Sequence, residues 1–323
     1  MRVDRYRKIL TSQRLPDLVR LSRRVLGLNY LKPEDFLPDI SPTDAARLAD
    51  LAHNARGEGP APILVMGVMP RSGTNFIRDL LAQHPDVHAD PGRYYEFPLL
   101  HAARGMGGFA DEFLSYFPRN AEIMGRWDPL ALLAGAWMRE LQREAGSRHI
   151  LLKCPHVQNL TLAPLIFPDA KIVLCVRDGR DVIDSTQRTF GRWSPARKTF
   201  AQLSEEWRLG VEAIYAVADA PHQTDADVVV LRYEDVVTDT RSAMRNLLER
   251  MGLQSDGYPF TKLDAMPVRG SSRSKASDDT RWQPEAKTAN FNPVKRWADW
   301  PGPRKARFDR IAGPSLRLAG YEA

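Results

Sequence analysis

Ile63-Leu64-Val65-Met66-Gly67-Val68-Met69-Pro70-Arg71-Ser72-Gly73-Thr74-Asn75 is the stretch that decides how this chain folds. It is entered from the breaker-rich run Gly57-Glu58-Gly59-Pro60-Ala61-Pro62. A short apolar run bounded by Gly and Pro has the form of a strand buried on both faces. Helical spacing takes over at Asn75 and lasts to about Gln83. A loop between a buried strand and a helix aims successive backbone N–H groups and the positive helix end at one spot, which suits a phosphate. A purely structural turn would read the same way, so this loop alone leaves both readings open.

The strand-then-helix rhythm returns on either side. Short apolar runs occur at 150–152, at 171–176 before a helix from Asp181, and at 228–233 before a helix over 240–251. Buried strands alternating with helices predict a three-layer α/β fold, a central and mostly parallel sheet with helices on both faces. Before the first strand, Ser41-Pro42 predicts a capped helix over 41–53. Residues 268–308, with few aliphatics, read as one long irregular loop of the kind kept for function.

Composition narrows the class. The 323 residues are 43% hydrophobic and 27% charged, as in an ordinary globular protein. Residues 1–30 hold eight basic and two acidic residues and so carry the whole net charge of +6. The remaining 38 basic and 38 acidic residues balance, which argues against nucleic acid as a partner. Leu15, Leu18, Val19, Val25 and Leu26 recur beside the arginines at helical spacing. The segment 1–61 is therefore read as a basic helical unit ahead of a main domain at 62–323, with residues 1–30 able to contact a membrane surface peripherally. No secretory signal is legible at the start, and Cys154 and Cys175 lie in apolar stretches where free buried thiols are expected. Both features point to a cytoplasmic protein.

The first loop differs from the phosphate loop of kinases and ATPases, where Lys directly follows the second Gly. Thr74 stands there instead, and the cation, Arg71, precedes Gly73 by two residues. A second anion site is readable in Lys171-Ile-Val-Leu-Cys-Val-Arg177-Asp-Gly-Arg180-Asp181-Val-Ile-Asp-Ser185. An arginine ending a buried strand needs a partner for its charge, and phosphate serves. Ser185, eight residues on along the following helix, adds a hydroxyl. An Arg–Asp pair that merely ties the turn is the competing reading.

Two anion sites on neighbouring strand ends suit a nucleotide with phosphates at its 5′ and 3′ positions. With these motifs the chain resembles the sulfotransferases that use 3′-phosphoadenosine 5′-phosphosulfate (PAPS), over about residues 62–321. The likeness extends to Leu231-Arg232-Tyr233-Glu234-Asp235, Lys295-Arg296-Trp297 and Leu318-Ala319-Gly320-Tyr321. Its motif pattern is most similar to the tyrosylprotein and carbohydrate types, and it implies a P-loop nucleotide-transferase-like fold. The resemblance implies that Arg71, Ser72, Gly73, Thr74 and Asn75 bind the 5′-phosphosulfate, and Arg177 and Ser185 the 3′-phosphate. Tyr233, Ser274 and Lys287 would support the co-substrate. Lys153, at the end of a buried strand, would stabilise the transition state together with Arg71.

For the general base the resemblance favours Glu96 in Arg93-Tyr94-Tyr95-Glu96-Phe97. Packing of Tyr95 and Phe97 around the carboxylate would tune it; an ion pair to a neighbour such as Arg93 is the plainer reading. His156 is the runner-up, displaced by one residue from the position that cytosolic members use. The product would be adenosine 3′,5′-bisphosphate. No metal is required, because arginine and lysine supply the positive charge. The acceptor is a hydroxyl on a small metabolite, lipid, carbohydrate or tyrosine. Tyr94, Phe109, Phe113, Tyr116, Phe117, Trp127 and Trp137 would line its pocket, unless they are simply helix core. A phosphotransferase with a degenerate phosphate loop, or a non-catalytic nucleotide binder, are the competing functions, and oligomeric state is not legible.

Overall fold

A computed structural model describes residues 31–190, 198–220, 224–267, 286 and 292–322. The basic segment 1–30 and the expected ligands Ser274 and Lys287 lie outside the described residues.

Strands β1 (Ile63–Gly67), β2 (Val87–Ala89), β3 (His149–Cys154), β4 (Lys171–Val176) and β5 (Asp227–Arg232) form one sheet in the order β2-β3-β1-β4-β5. Every pairing is parallel, with Val65 beside Lys153 and Gly67 beside Cys175. All five residues of β1 are buried, as a strand covered on both faces requires.

Side chains alternate across a strand, and here the alternation splits the core in two. Leu64, Met66, Ile150, Leu152, Ile172 and Leu174 pack on one face, and Ile63, Val65, Leu151, Val173 and Cys175 on the other. The second face is covered by α2 (Thr74–Leu81), α8 (Tyr233–Thr238) and α9 (Thr240–Arg250). The first is covered by α1 (Pro42–Arg56), α4 (Asp128–Ala145), α5 (Ala163–Ile166), α6 (Gly179–Phe190), α7 (Phe200–Ala218) and α10 (Gly302–Leu318). The remaining helix, α3 (Ala103–Tyr116), leans on this layer through Ala103. The expected three layers are therefore present.

Ser41 caps α1, its Oγ accepting from Asp44 N at 3.1 Å. That helix packs against α4, where Gly135 lies under the Ala52 carbonyl; a Cβ there would meet the oxygen at 2.4 Å. No helix of the described residues is long and apolar enough to cross a membrane.

The expected irregular stretch ends sooner than its composition predicts. Residues Arg296–Asp299 form a short 3-10 turn and Gly302 already starts α10. The apolar stripe of α10 is Phe308, Ala312 and Leu316, one residue every turn, all buried with Phe308 against Trp207. Its Arg- and Lys-rich outer face and Gly313-Pro314 hide that stripe in the composition.

Candidate active site

The chain leaves β1 towards β2 on one side and leaves β4 towards β5 on the other, so the sheet changes direction between these adjacent strands. A crevice outside the carboxyl ends of the strands at such a point is where parallel sheets hold ligands. Both sequence-predicted anion loops open there.

The first loop is built by its own hydrogen bonds. Ser72, fully buried, donates to Met69 O at 2.5 Å and accepts from Met69 N at 3.2 Å. Arg71 (φ 82°) and Gly73 (φ 94°) both take left-handed backbone conformations, which turns the chain sharply into α2. Gly73 caps that helix without a side-chain acceptor, leaving first-turn amides for an anion. Thr74 is buried and Asn75 half-buried in this turn. A Cβ on Gly73 would meet the Tyr233 ring at 2.2 Å. Overpacking combined with an unfavourable φ is expected to cost Gly73→Ala about 2–4 kcal/mol. A fall in thermal midpoint together with weakened nucleotide binding would verify this; an unchanged protein would mean the loop is slack.

The second loop is tied to the first. Arg71 Nε donates to Ser185 Oγ at 3.0 Å, and Arg177 Nη1 donates to Arg71 O at 2.8 Å. The Arg177 guanidinium lies 4.7 Å from the Tyr233 ring centre, and its Nε is buried with no hydrogen-bond partner. Arg71, Ser72, Gly73, Thr74, Arg177, Ser185 and Tyr233 are thus gathered at one place. The competing Arg–Asp reading belongs to a different arginine: Arg180 pairs with Asp178 through Nε and Nη2, at 3.0 and 2.9 Å. Arg177 keeps an unused donor, as an anion site needs.

Carboxylates frame this cation. Glu234 accepts from Asp178 N at 3.1 Å and from Tyr321 Oη at 2.6 Å, and burial raises its pKa. Arg232 stacks over the Tyr321 ring at 4.4 Å, so the motifs around residues 232–235 and 318–321 meet in space. Asp181, fully buried, accepts from the backbone of Lys295 at 2.8 Å, Arg296 at 2.7 Å and Trp297 at 3.3 Å. The sequence reading used Asp181 only to start a helix and missed this contact, because no local pattern links it to residues more than a hundred positions away.

At the end of β3, Lys153 is buried (side chain 5% exposed) and donates to Glu96 Oε1 at 3.0 Å. Its ammonium also lies 4.8 Å from the Tyr95 ring centre. The apolar surround expected for Glu96 is not built. Glu96 is 42% exposed, and Phe97 turns inward against Tyr94 and Trp137. The partner is Lys153 rather than Arg93, so the two sequence-selected groups are in direct contact. Burial pushes the neighbouring Cys154 thiol up to about 12, which keeps it un-ionised beside the lysine.

His156 sits in the loop after β3. It stacks on His101 with ring centres 4.1 Å apart, and His101 Nδ1 meets Gln158 Oε1 at 2.9 Å. Burial first, then the charges of His101, Lys198 and Lys153, push His156 down to about 3. Among the aromatics, Phe109 (52% exposed), Phe113, Tyr116 and Phe117 face outward, so core packing does not explain them.

Comparison with known proteins agrees with this architecture. The model of the "Sulfotransferase family" matches residues 62–257, which contain every site residue placed above except Tyr321 and the segment 295–297. Protein-tyrosine sulfotransferase A of Caenorhabditis elegans is 22% identical over 269 residues, covering 81% of this chain and 68% of its own length. Protein-tyrosine sulfotransferase 1 of Danio rerio is 23% identical over 273 residues, covering 81% and 72%. The solved sulfotransferase domain of the Synechococcus PCC 7002 olefin synthase superposes with a TM-score of 0.50 at 21% identity, over 83% of this chain and 97% of that one. With more than half of its length matched by the family model and the fold to go with it, the chain belongs to the family of PAPS-dependent sulfotransferases.

Proposed function

We propose that the protein transfers the sulfuryl group of PAPS to an acceptor hydroxyl, with Glu96 as general base and Lys153 and Arg71 as the stabilising cations. The acceptor oxygen attacks sulfur in line with the leaving group. An O–S bond forms as the S–O bond to the 5′-phosphate breaks, its electron pair leaving on that phosphate. The hydroxyl proton passes to Glu96. Fixed cations stabilise the charge on the sulfuryl and phosphate oxygens, and in a site that excludes water such groups carry most of the rate enhancement. Arg177 and Ser185 hold the 3′-phosphate, while Ser72, Gly73, Thr74 and Asn75 cradle the 5′ side with Tyr233 beneath.

The observation that carries this reading is the 3.0 Å contact between Lys153 and Glu96, one strand away from the phosphate loop. It joins an acid–base group to a cation beside the place where two anion sites converge. The curated relatives act on protein tyrosine, and a tyrosine or another exposed hydroxyl fits the open side of Glu96. The free buried thiols of Cys154 and Cys175 agree with a cytoplasmic setting.

The test is calorimetric titration with adenosine 3′,5′-bisphosphate, AMP and ATP. Binding of the bisphosphate at least about tenfold tighter than that of AMP or ATP is expected, from one added charge-assisted phosphate contact. A preference for ATP, or indifference to the 3′-phosphate, would overturn the assignment and favour phosphoryl transfer.

A further inference from the structure

Asp181 is a fully buried carboxylate to which the proposed chemistry gives no task. It stands on the first turn of α6, four residues after Arg177 and four before Ser185. Each of its oxygens is occupied by backbone from a distant segment: Oδ2 accepts from Lys295 N, and Oδ1 from Arg296 N and Trp297 N. Lys295 takes a left-handed conformation (φ 56°), which turns consecutive amides towards the carboxylate. The same segment is held a second time through Trp297, whose ring centre lies 3.4 Å from the Arg180 guanidinium carbon. Just ahead of these amides, Pro293 O accepts from Arg177 Nη2 at 2.5 Å.

Arg177 is therefore held between two carbonyls, Arg71 O from the first loop and Pro293 O from this strap. With Nη1 and Nη2 fixed and Tyr233 under its plane, the guanidinium has one orientation, and its unpartnered Nε belongs to that orientation. Removing the Asp181 bonds frees the strap, and with it the Pro293 carbonyl that sets Arg177's aim. We propose that Asp181 is a positioning residue for the 3′-phosphate site, clasping residues 293–297 so that Arg177 is aimed at the co-substrate. This rests on the reading of Arg177 given under the proposed function.

Charge around the clasp adds a pH dependence. Burial raises Asp181 to about 6; Arg177 opposes this, Asp178 adds to it, the Arg296 amide opposes it and Glu234 adds again. Arg180, paired with Asp178, lies over the Trp297 ring of the clasped segment. The carboxylate is ionised, and the better acceptor of three N–H groups, above that pH. The clasp weakens as pH falls through it.

The experiment is titration of D181N and wild type with adenosine 3′,5′-bisphosphate and with AMP, at pH 7.5 and 5.5. In D181N the amide oxygen still accepts from Arg296 and Trp297, but an NH2 group meets Lys295 N, donor against donor. At pH 7.5 bisphosphate binding is expected to weaken roughly 10–100-fold, the scale of losing hydrogen bonds to a charged group. AMP binding, which lacks the 3′-phosphate, stays within about twofold. Acidification weakens bisphosphate binding more in wild type than in D181N; the phosphates protonate equally in both, so the difference belongs to Asp181. D181E is expected to recover part of the loss.

Equal bisphosphate affinity in D181N and wild type, or equal losses for bisphosphate and AMP, would overturn the inference while leaving the co-substrate assignment intact. A wild type that does not prefer bisphosphate to AMP would overturn the assignment itself. Should D181N not fold, amide hydrogen exchange in the wild-type chain decides. Bisphosphate, and not AMP, is expected to slow exchange at Lys295, Arg296 and Trp297 several-fold, and equal rates with the two would sink the proposal.

Discussion

Glu96→Gln is expected to lower kcat by about 10²–10⁴, the range for removing a general base, while bisphosphate affinity stays within about twofold. The substitution isolates proton acceptance from placement. A glutamine oxygen still receives the hydrogen bond that Lys153 gives at 3.0 Å, so the pair keeps its geometry and loses only the ability to take a proton. The measurement is the initial rate of sulfuryl transfer from labelled PAPS to whichever phenol or alcohol wild type accepts, with binding followed separately by calorimetry. His156→Gln is the companion variant, expected to change kcat by no more than about fivefold, because a base as weak as this histidine gives little assistance near neutral pH. Burial and the neighbouring charges of His101, Lys198 and Lys153 hold it near 3. If His156→Gln shows the large loss and Glu96→Gln the small one, the roles are reversed.

That assignment depended on structure in a way the sheet did not. Ile63–Gly67 is a run of apolar residues between Gly and Pro, and its burial on both faces follows from that alone. Arg177 was also legible, because a cation at the end of a buried strand is costly without a partner, wherever its ligand comes from, whereas Arg71 and Ser185 were read from their places in the loop after β1 and on the helix after β4. Glu96 was a candidate by resemblance only; its neighbours Tyr95 and Phe97 suggested an apolar pocket that the fold does not make. A contact between residues 57 positions apart in sequence, Lys153 with Glu96, leaves no periodic trace. The same holds for Asp181 and its three amides. Helix α10 failed for a different reason: its buried stripe is narrow, and charges, glycines and prolines outnumber it in any window. Local chemistry exposes strands and strand-end cations, whereas polar groups satisfied by distant backbone stay hidden until the chain is folded.

Arg177→Ala should weaken bisphosphate binding by about 30–1,000-fold, the scale of truncating one member of a buried, hydrogen-bonded charge pair. Ser185→Ala, which removes one neutral hydroxyl, is expected to cost about 3–10-fold. Arg177→Lys falls between wild type and alanine, since an ammonium keeps the charge but cannot offer the guanidinium fork. AMP affinity should be nearly unchanged in all three; an equal loss for AMP would mean that the site had collapsed rather than lost a phosphate ligand. Stability supplies an independent check whose sign follows from Asp181. Its pKa lies near 6 in the folded protein against 3.8 without the fold, so the folded state holds the proton longer and ionisation costs stability as pH rises through that window. Arg177 is the foremost influence opposing this rise. Removing it lifts the folded-state pKa further and extends the penalty to higher pH. The thermal midpoint of Arg177→Ala should therefore fall further below wild type at pH 7.5 than at pH 5.5. A deficit independent of pH would show that Arg177 does not hold Asp181 in its charged form, and that its place in the site is set by the Arg71 and Pro293 carbonyls and by packing over Tyr233.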